Sequence, residues 1–241
     1  MKGYLLFLML FPLALYSQEE YKPLLKDGRC WNHTFVSAAR NYNKSLTIQG
    51  DTLIGGVTWK KVYNGNQYEK ALLEDGQKVF ELMKGEPAES QQLLFNFGLQ
   101  VGERQHFATL GENEERYLEV TDIDYINSEN RKYRILKLHQ VIKSNGETVY
   151  SADSFWIEGI GSECGIEKPC QWVDVTGYTC QLQTCFDNDE CIFNISSMDT
   201  GMTMKPADKQ KGYHMYDLQG RPTNQAHGIF IQNGRKHLTR K

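Results

Sequence analysis

"TLIGGVTWKKVY", residues 52–63, sets two adjacent glycines between short runs of apolar and β-branched residues. A two-residue reversal needs positive φ at both central positions, which glycine adopts without steric penalty, so Gly55-Gly56 reads as a β-hairpin tip. The same pattern recurs outward from it. "YEKALLEDGQKVFELM" (68–83) turns on Asp75-Gly76, "KLHQVIKSNGETVYSA" (137–152) on Asn145-Gly146, and "GIFIQNGRKHLT" (228–239) on Asn233-Gly234. "YLEVTDIDYI" (117–126) and "KYRILKLHQVI" (132–142), joined by polar "NSEN", give a fifth hairpin. The flanks alternate as half-buried strands do: Leu136, Leu138 and Gln140 share one parity, Ile135, Lys137 and His139 the other. No window keeps a 3.6-residue apolar period behind an N-cap. Even "ESQQLLFNFGL" (89–99), the best helical candidate, reads as strand.

The expected fold is therefore mainly β: an antiparallel hairpin meander forming a barrel-like or sandwich body, plus a small C-terminal β unit. Core candidates are Trp31, Phe35, Trp59, Val62, Leu72, Phe80, Leu94, Phe97, Ile135, Leu136, Leu138, Phe155, Trp156 and Ile160. The expected body spans 18–193. Residues 194–211, with few aromatics and mixed charge, read as a linker, and 212–241 as a separate hairpin module.

Residues 1–17, "MKGYLLFLMLFPLALYS", have the order of a secretory signal peptide: a basic start at Lys2, an uncharged apolar run, and small Ser17 before Gln18. The run is too short for a membrane span, and no later stretch is apolar enough to cross as a helix. Cysteine usage fits an exported chain. Cys30, Cys164, Cys170, Cys180, Cys185 and Cys191 are an even set that an oxidising compartment pairs fully, with the connectivity open. Their spacings are C-x5-C, C-x9-C, C-x4-C and C-x5-C, none of them a zinc knuckle.

Charge divides unevenly. Residues 18–204 hold 18 Lys+Arg against 28 Asp+Glu, whereas 205–241 hold 8 against 2. The tail lacks a dense basic run, so it reads as attracted to the acidic body or an anionic cell surface and not to nucleic acid.

Catalytic and cofactor signatures are missing from the sequence. There is no H-E-x-x-H, and in "GIGSECG" Ser162 directly follows Gly161, which breaks the nucleophile-elbow spacing. The six histidines are dispersed, away from ligand spacing. Asp187, Asp189 and Glu190 in "DNDE" offer oxygen ligands for calcium, but a hairpin turn explains them as well. Tyr117, Tyr125 and Tyr133 are candidates for a glycan- or peptide-stacking face, with ordinary sheet packing the plainer reading.

The ending has a specific likeness. Asp217, Gly220 and Arg221 in "YDLQGR", Gly228, Ile229, Phe230 and Ile231 in "GIFI", and Lys236 with Lys241 resemble the closing part of the C-terminal sorting domains of Bacteroidetes secreted proteins. The resemblance implies a small β unit read by the type IX secretion machinery, with attachment at the cell surface. The match is confined to 212–241 and lacks an upstream Pro-Asn-Pro, which implies a shortened module. In the body, "GDTLIGGVTWKKVY" (50–63), "LLFNFGLQVGE" (93–103) and "FWIEGIGSECGI" (155–166) resemble segments of uncharacterised secreted proteins of the same phylum. The expected function is that of an exported cell-envelope or surface protein, without evident catalysis, binding a glycan or a protein. The competing expectation is a secreted hydrolase whose carboxylate pair converges only in three dimensions.

Overall fold

Thirteen strands form the body of the computed structural model, and tight reversals place them in two sheets. The structure describes residues 20–37, 40–109, 111, 113–171 and 179–198, and in the C-terminal unit the strands 215–216, 222–223, 228–232 and 235–239. The first sheet comprises Arg29–Val36 (β1), Asn41–Ile54 (β2), Val57–Asn64 (β3), Gln67–Asp75 (β4), Lys78–Met83 (β5) and Gln92–Asn96 (β6). The second comprises Arg104–Phe107 (β7), Glu114–Ser128 (β8), Arg131–Ser144 (β9), Glu147–Ile157 (β10) and Gly161–Ser162 (β11). Thr179–Asp187 (β12) and Glu190–Asn194 (β13) return to the first sheet, whose order is β13-β12-β1-β2-β3-β4-β5-β6, while the second runs β11-β10-β9-β8-β7. The fold is mainly β, two antiparallel sheets curled into half-barrels.

The turn chemistry explains the order. Gly55 and Gly56 have φ of 58° and 80°, Asn145 and Gly146 51° and 83°, and Glu129 and Asn130 49° and 57°. These pairs close the β2–β3, β9–β10 and β8–β9 hairpins, opposing Ile54 to Val57, Ser144 to Glu147 and Ser128 to Arg131. The β4–β5 hairpin opposes Asp75 to Lys78, so its reversal is Gly76-Gln77, one residue later than expected. "ESQQLLFNFGL" is a 3-10 turn, Ala88–Ser90, followed by strand β6.

Side chains sew the two sheets together where no ladder does. Gln105 on β7 donates Nε2 to the Leu93 and Leu94 carbonyls on β6 at 3.2 Å. At the opposite seam Ser128 Oγ donates to the Asn194 carbonyl at 3.1 Å and accepts from Asn194 N at 3.0 Å. There the Tyr133 hydroxyl donates to the Ile192 carbonyl, and Arg131 pairs with Glu190. The main core lies between the sheets, with Trp31, Trp156, Phe95, Phe97 and Phe193 its largest fully buried side chains. On the opposite face of β3–β5 a smaller cluster joins Trp59, Ala71 and Leu82. Phe80, expected in the core, is only half-buried against that cluster, because its parity opposes that of Val79.

A strap crosses the body before β1. Leu24, fully buried, donates its N–H to Glu74 Oε1 at 2.7 Å, Leu25 donates to Glu74 Oε2 at 3.0 Å, and the Tyr21 hydroxyl donates to Glu74 Oε1 at 2.6 Å. Lys22 N donates to Glu158 Oε1 at 2.9 Å. The Arg29 guanidinium donates to the carbonyls of Pro23, Leu24 and Gly159 at 2.7–3.0 Å.

The cysteine expectation needs correction. All six cysteines are free thiols. Cys30 on β1 and Cys191 on β13 flank Phe186 on the intervening strand β12. Two strand spacings of about 4.8 Å put them beyond the roughly 7 Å that a disulfide spans. Cys185 precedes Phe186 and so points to the opposite face, into the core.

The chain divides into two compact units, Met1–Met198 and Asp199–Lys241. Residues 194–198, read from sequence as linker, belong to the first: Asn194 ends β13, a 3-10 turn follows at Ile195–Ser197, and Ile195 and Met198 pack against the core. The second unit contains Met215–Tyr216 (β14), Pro222–Thr223 (β15), Gly228–Gln232 (β16) and Arg235–Thr239 (β17), in the order β15-β14-β16-β17.

Glu74→Ala should cost about 2–4 kcal/mol in urea unfolding, because it strands two strap N–H groups and a hydroxyl. A loss below about 0.5 kcal/mol would show that the strap contributes nothing to stability.

Candidate functional site

The inward face of β1 and β2 changes character along its length. Trp31 opposes Leu46, His33 opposes Lys44, and Phe35 opposes Tyr42, so an apolar row becomes charged and then aromatic towards the β1–β2 hairpin. Lys70 has the parity of core residue Leu72 and so also projects inward.

The segment 158–171, "EGIGSECGIEKPCQ", closes over this row as a plug. It reverses on itself, with Ser162 N donating to the Gly165 carbonyl at 3.0 Å and Gly165 N to the Ser162 carbonyl at 2.8 Å. Gly165 has φ of 57°, and a Cβ there would lie 2.5 Å from His33 Nε2, so both conformation and space demand glycine. The Trp31 indole N–H donates to the Ile160 carbonyl and that of Trp156 to the Pro169 carbonyl, each at 2.7 Å. Lys70 Nζ donates to the Ile166 carbonyl at 2.7 Å and to Glu81 Oε2 at 2.9 Å. Lys44 Nζ pairs with Glu69 at 2.7 Å and with Glu167 at 3.1 Å. Ser162 Oγ, fully buried, donates to the Lys168 carbonyl at 2.6 Å, which fits a structural hydroxyl and not a nucleophile at an elbow.

The ionisable groups are tuned by this enclosure. Burial works against the Lys44 ammonium, but its bonds to Glu69 and Glu167 outweigh that and hold it above its ordinary range. Burial also works against the Glu69 carboxylate, and Lys44 and Asn64 outweigh it and hold the group low. Glu163 accepts from Ser154 Oγ at 2.7 Å, Gln171 N at 3.0 Å and Phe155 N at 3.1 Å, yet burial dominates and raises its carboxyl above the usual range. The Cys180 side chain first, and burial second, push the Cys164 thiol far up, and burial does the same to Cys170 and Cys185. Thiols so shifted are poor nucleophiles at neutral pH.

His33 is 1% exposed, and neither ring nitrogen has a hydrogen-bond partner. Burial lowers it to about 4, with the Lys44 charge acting in the same direction and the Glu167 charge and the Lys44 and Cys164 main chain opposing.

The other sequence candidates fall elsewhere. Asp187 is paired with Lys26 at 2.6 Å and Arg29 at 3.3 Å, and Glu190 with Arg131, so two of the three calcium candidates face cations. Among the described residues no three His, Cys, Asp or Glu side chains gather as a metal site. Tyr117 and Tyr133 are buried, so the three-tyrosine face does not form; Tyr125 is exposed, with Lys132 Nζ 3.9 Å from its ring centre. Tyr42 is exposed to the same degree, 41%, and is stacked on Phe35 with ring centres 4.8 Å apart and 2° between planes. Arg40 lies over the Tyr42 ring at 5.7 Å. Of the sorting-like motif, Asp217, Gly220, Arg221 and Lys241 lie outside the described residues. Gly228, Ile229, Phe230 and Ile231 fall on β16, and Lys236 falls on β17 opposite Ile231.

No family model, curated protein or solved structure matches the chain.

The buried imidazole gives a pH signature. The unfolded chain binds the His33 proton near pH 6.5, the folded chain only near 4, so this stability term is complete above pH 6.5 and declines as pH falls towards 4. The total is about 3 kcal/mol. His33→Leu should remove that slope from denaturant melts across the window, and an unchanged slope would contradict the assignment.

Proposed function

We propose that the chain is an exported β-sheet protein of the cell surface or periplasm, which binds a glycan or a protein and does not turn over a substrate. On this reading residues 212–241 are a C-terminal sorting segment for the secretion machinery. Export is supported by the basic, apolar and small-residue order of 1–17. Sorting is supported by the "YDLQGR" and "GIFI" resemblance.

The observation that carries the binding reading is a division among side chains. The inward ionisable groups His33, Lys44 and Lys70 sit against the plug, which itself carries Glu163 and Glu167, whereas the Tyr42 ring, backed by Phe35 and overlain by Arg40, is exposed at the surface. A rigid aromatic with few rotatable bonds suits sugar faces and peptide side chains alike.

Fractionation of the native cells tests the reading. The full chain is expected at the surface without residues 1–17, and a chain lacking 212–241 is expected in the periplasm. Identical locations would remove the sorting role. Native cell envelopes should retain the purified body, and Tyr42→Ala should weaken retention about ten-fold, the scale of one stacking contact. Equal retention would remove Tyr42 from the binding surface.

A further inference from the structure

We infer that Cys164 and Cys180 are the oxidisable cysteine pair of this chain, and that their bond latches the plug to β12. Cys164 sits in the plug's reversal and Cys180 near the start of β12, both buried. The Cys164 thiol donates to the Cys180 carbonyl at 3.3 Å, and the two side chains form one cluster with Phe35. Their backbones are already docked. Leu182 N donates to the Glu163 carbonyl at 2.7 Å, and Gln171 Oε1 accepts from Cys180 N at 2.6 Å and from the Cys164 thiol at 3.5 Å. The bond joins two segments that these hydrogen bonds already hold together.

The remaining cysteines have no such arrangement. Cys30 and Cys191 stand on either side of Phe186, two strand spacings apart, and Cys185 faces the other way. The Cys30 thiol donates to Asn32 Oδ1 and that of Cys191 to the Phe193 carbonyl. Cys170 is buried in the main core.

The oxidant is a small-molecule disulfide such as oxidised glutathione. One protein thiolate attacks a glutathione sulfur, forming a mixed disulfide and releasing one glutathione thiolate. The second protein thiolate then attacks the protein sulfur of that intermediate, forming the Cys164–Cys180 bond and releasing the second glutathione. The two protein thiols lose two protons and two electrons, and the electrons reduce the glutathione disulfide. Because both sulfurs are buried, exchange requires the plug to lift, so the bond forms during folding and resists reduction afterwards.

The test refolds the mature protein in a glutathione redox buffer, then denatures and alkylates it without reductant. Four alkylated cysteines are expected. Glu-specific digestion should leave residues 164–167 covalently joined to 168–190, with fragmentation placing the link at Cys180. Reduction should lower the thermal midpoint of the wild type and of Cys170→Ser by about 5–10 °C, and leave Cys164→Ser and Cys180→Ser unmoved. Six alkylated cysteines, or a link at Cys30, Cys185 or Cys191 in place of Cys164–Cys180, would overturn the assignment. The peptide map of the wild type decides even where a serine variant does not fold.

Discussion

An irregular segment buried between two sheets must find a partner for its main-chain polar groups, and that requirement shapes this molecule. Residues 158–171 belong to neither ladder along most of their length, yet much of the segment is out of reach of water. A buried carbonyl without a donor costs about 1–3 kcal/mol, so several orphans would outweigh the net stability of a domain this size. The chain answers with long side chains. Two indole N–H groups and one ammonium reach the carbonyls of Ile160, Ile166 and Pro169, while Ser162 satisfies Lys168.

The donors are also core. Trp31 and Trp156 are fully buried, and burial of each ring is worth more than its hydrogen bond, about 2–3 kcal/mol or above against about 1. Burial therefore supplies the stability, and the N–H groups fix where the plug must lie. Phe95 and Phe97 meet the Trp156 ring edge-on at 5.4 and 6.0 Å, which couples the second sheet to β6 and the residues beyond it. Lys70 follows the same logic from the first sheet. It buries an ammonium, tolerable because Glu81 and the plug carbonyls surround it. The strap on Glu74 and the seams at Gln105 and Ser128 repeat the device with fewer contacts.

The local part of this fold was legible in the sequence. Positive-φ turn residues announced the hairpins at Gly55-Gly56 and Asn145-Gly146, and strand parity placed Val62, Leu72 and Leu138 inside. Parity also put His33 between Trp31 and Phe35, so its burial could be read there. Its lack of partners could not, because Lys44 is drawn away to Glu69 and to Glu167, 123 residues distant in sequence. Phe80 misled because parity fixes a face without saying which face is covered. The cysteines misled because an even count says nothing about separation: Cys30 and Cys191 share a face yet stand two strands apart. In the sequence the plug showed only as "GIGSECG", a stretch without nucleophile-elbow spacing, since its partners lie on β1, β2, β4 and β10.

Native-state hydrogen exchange tests the central claim most directly. The Gly165 and Glu158 amides, bonded to the Ser162 and Arg134 carbonyls, and the Leu182 amide bonded to Glu163, should exchange as slowly as the β9 amides of Leu136 and Leu138, opening only with global unfolding. Exchange of those plug amides orders of magnitude faster than β9 would mean that the segment lifts while the sheets stay folded. The plug would then be an ornament on the barrel and not the piece that holds it closed.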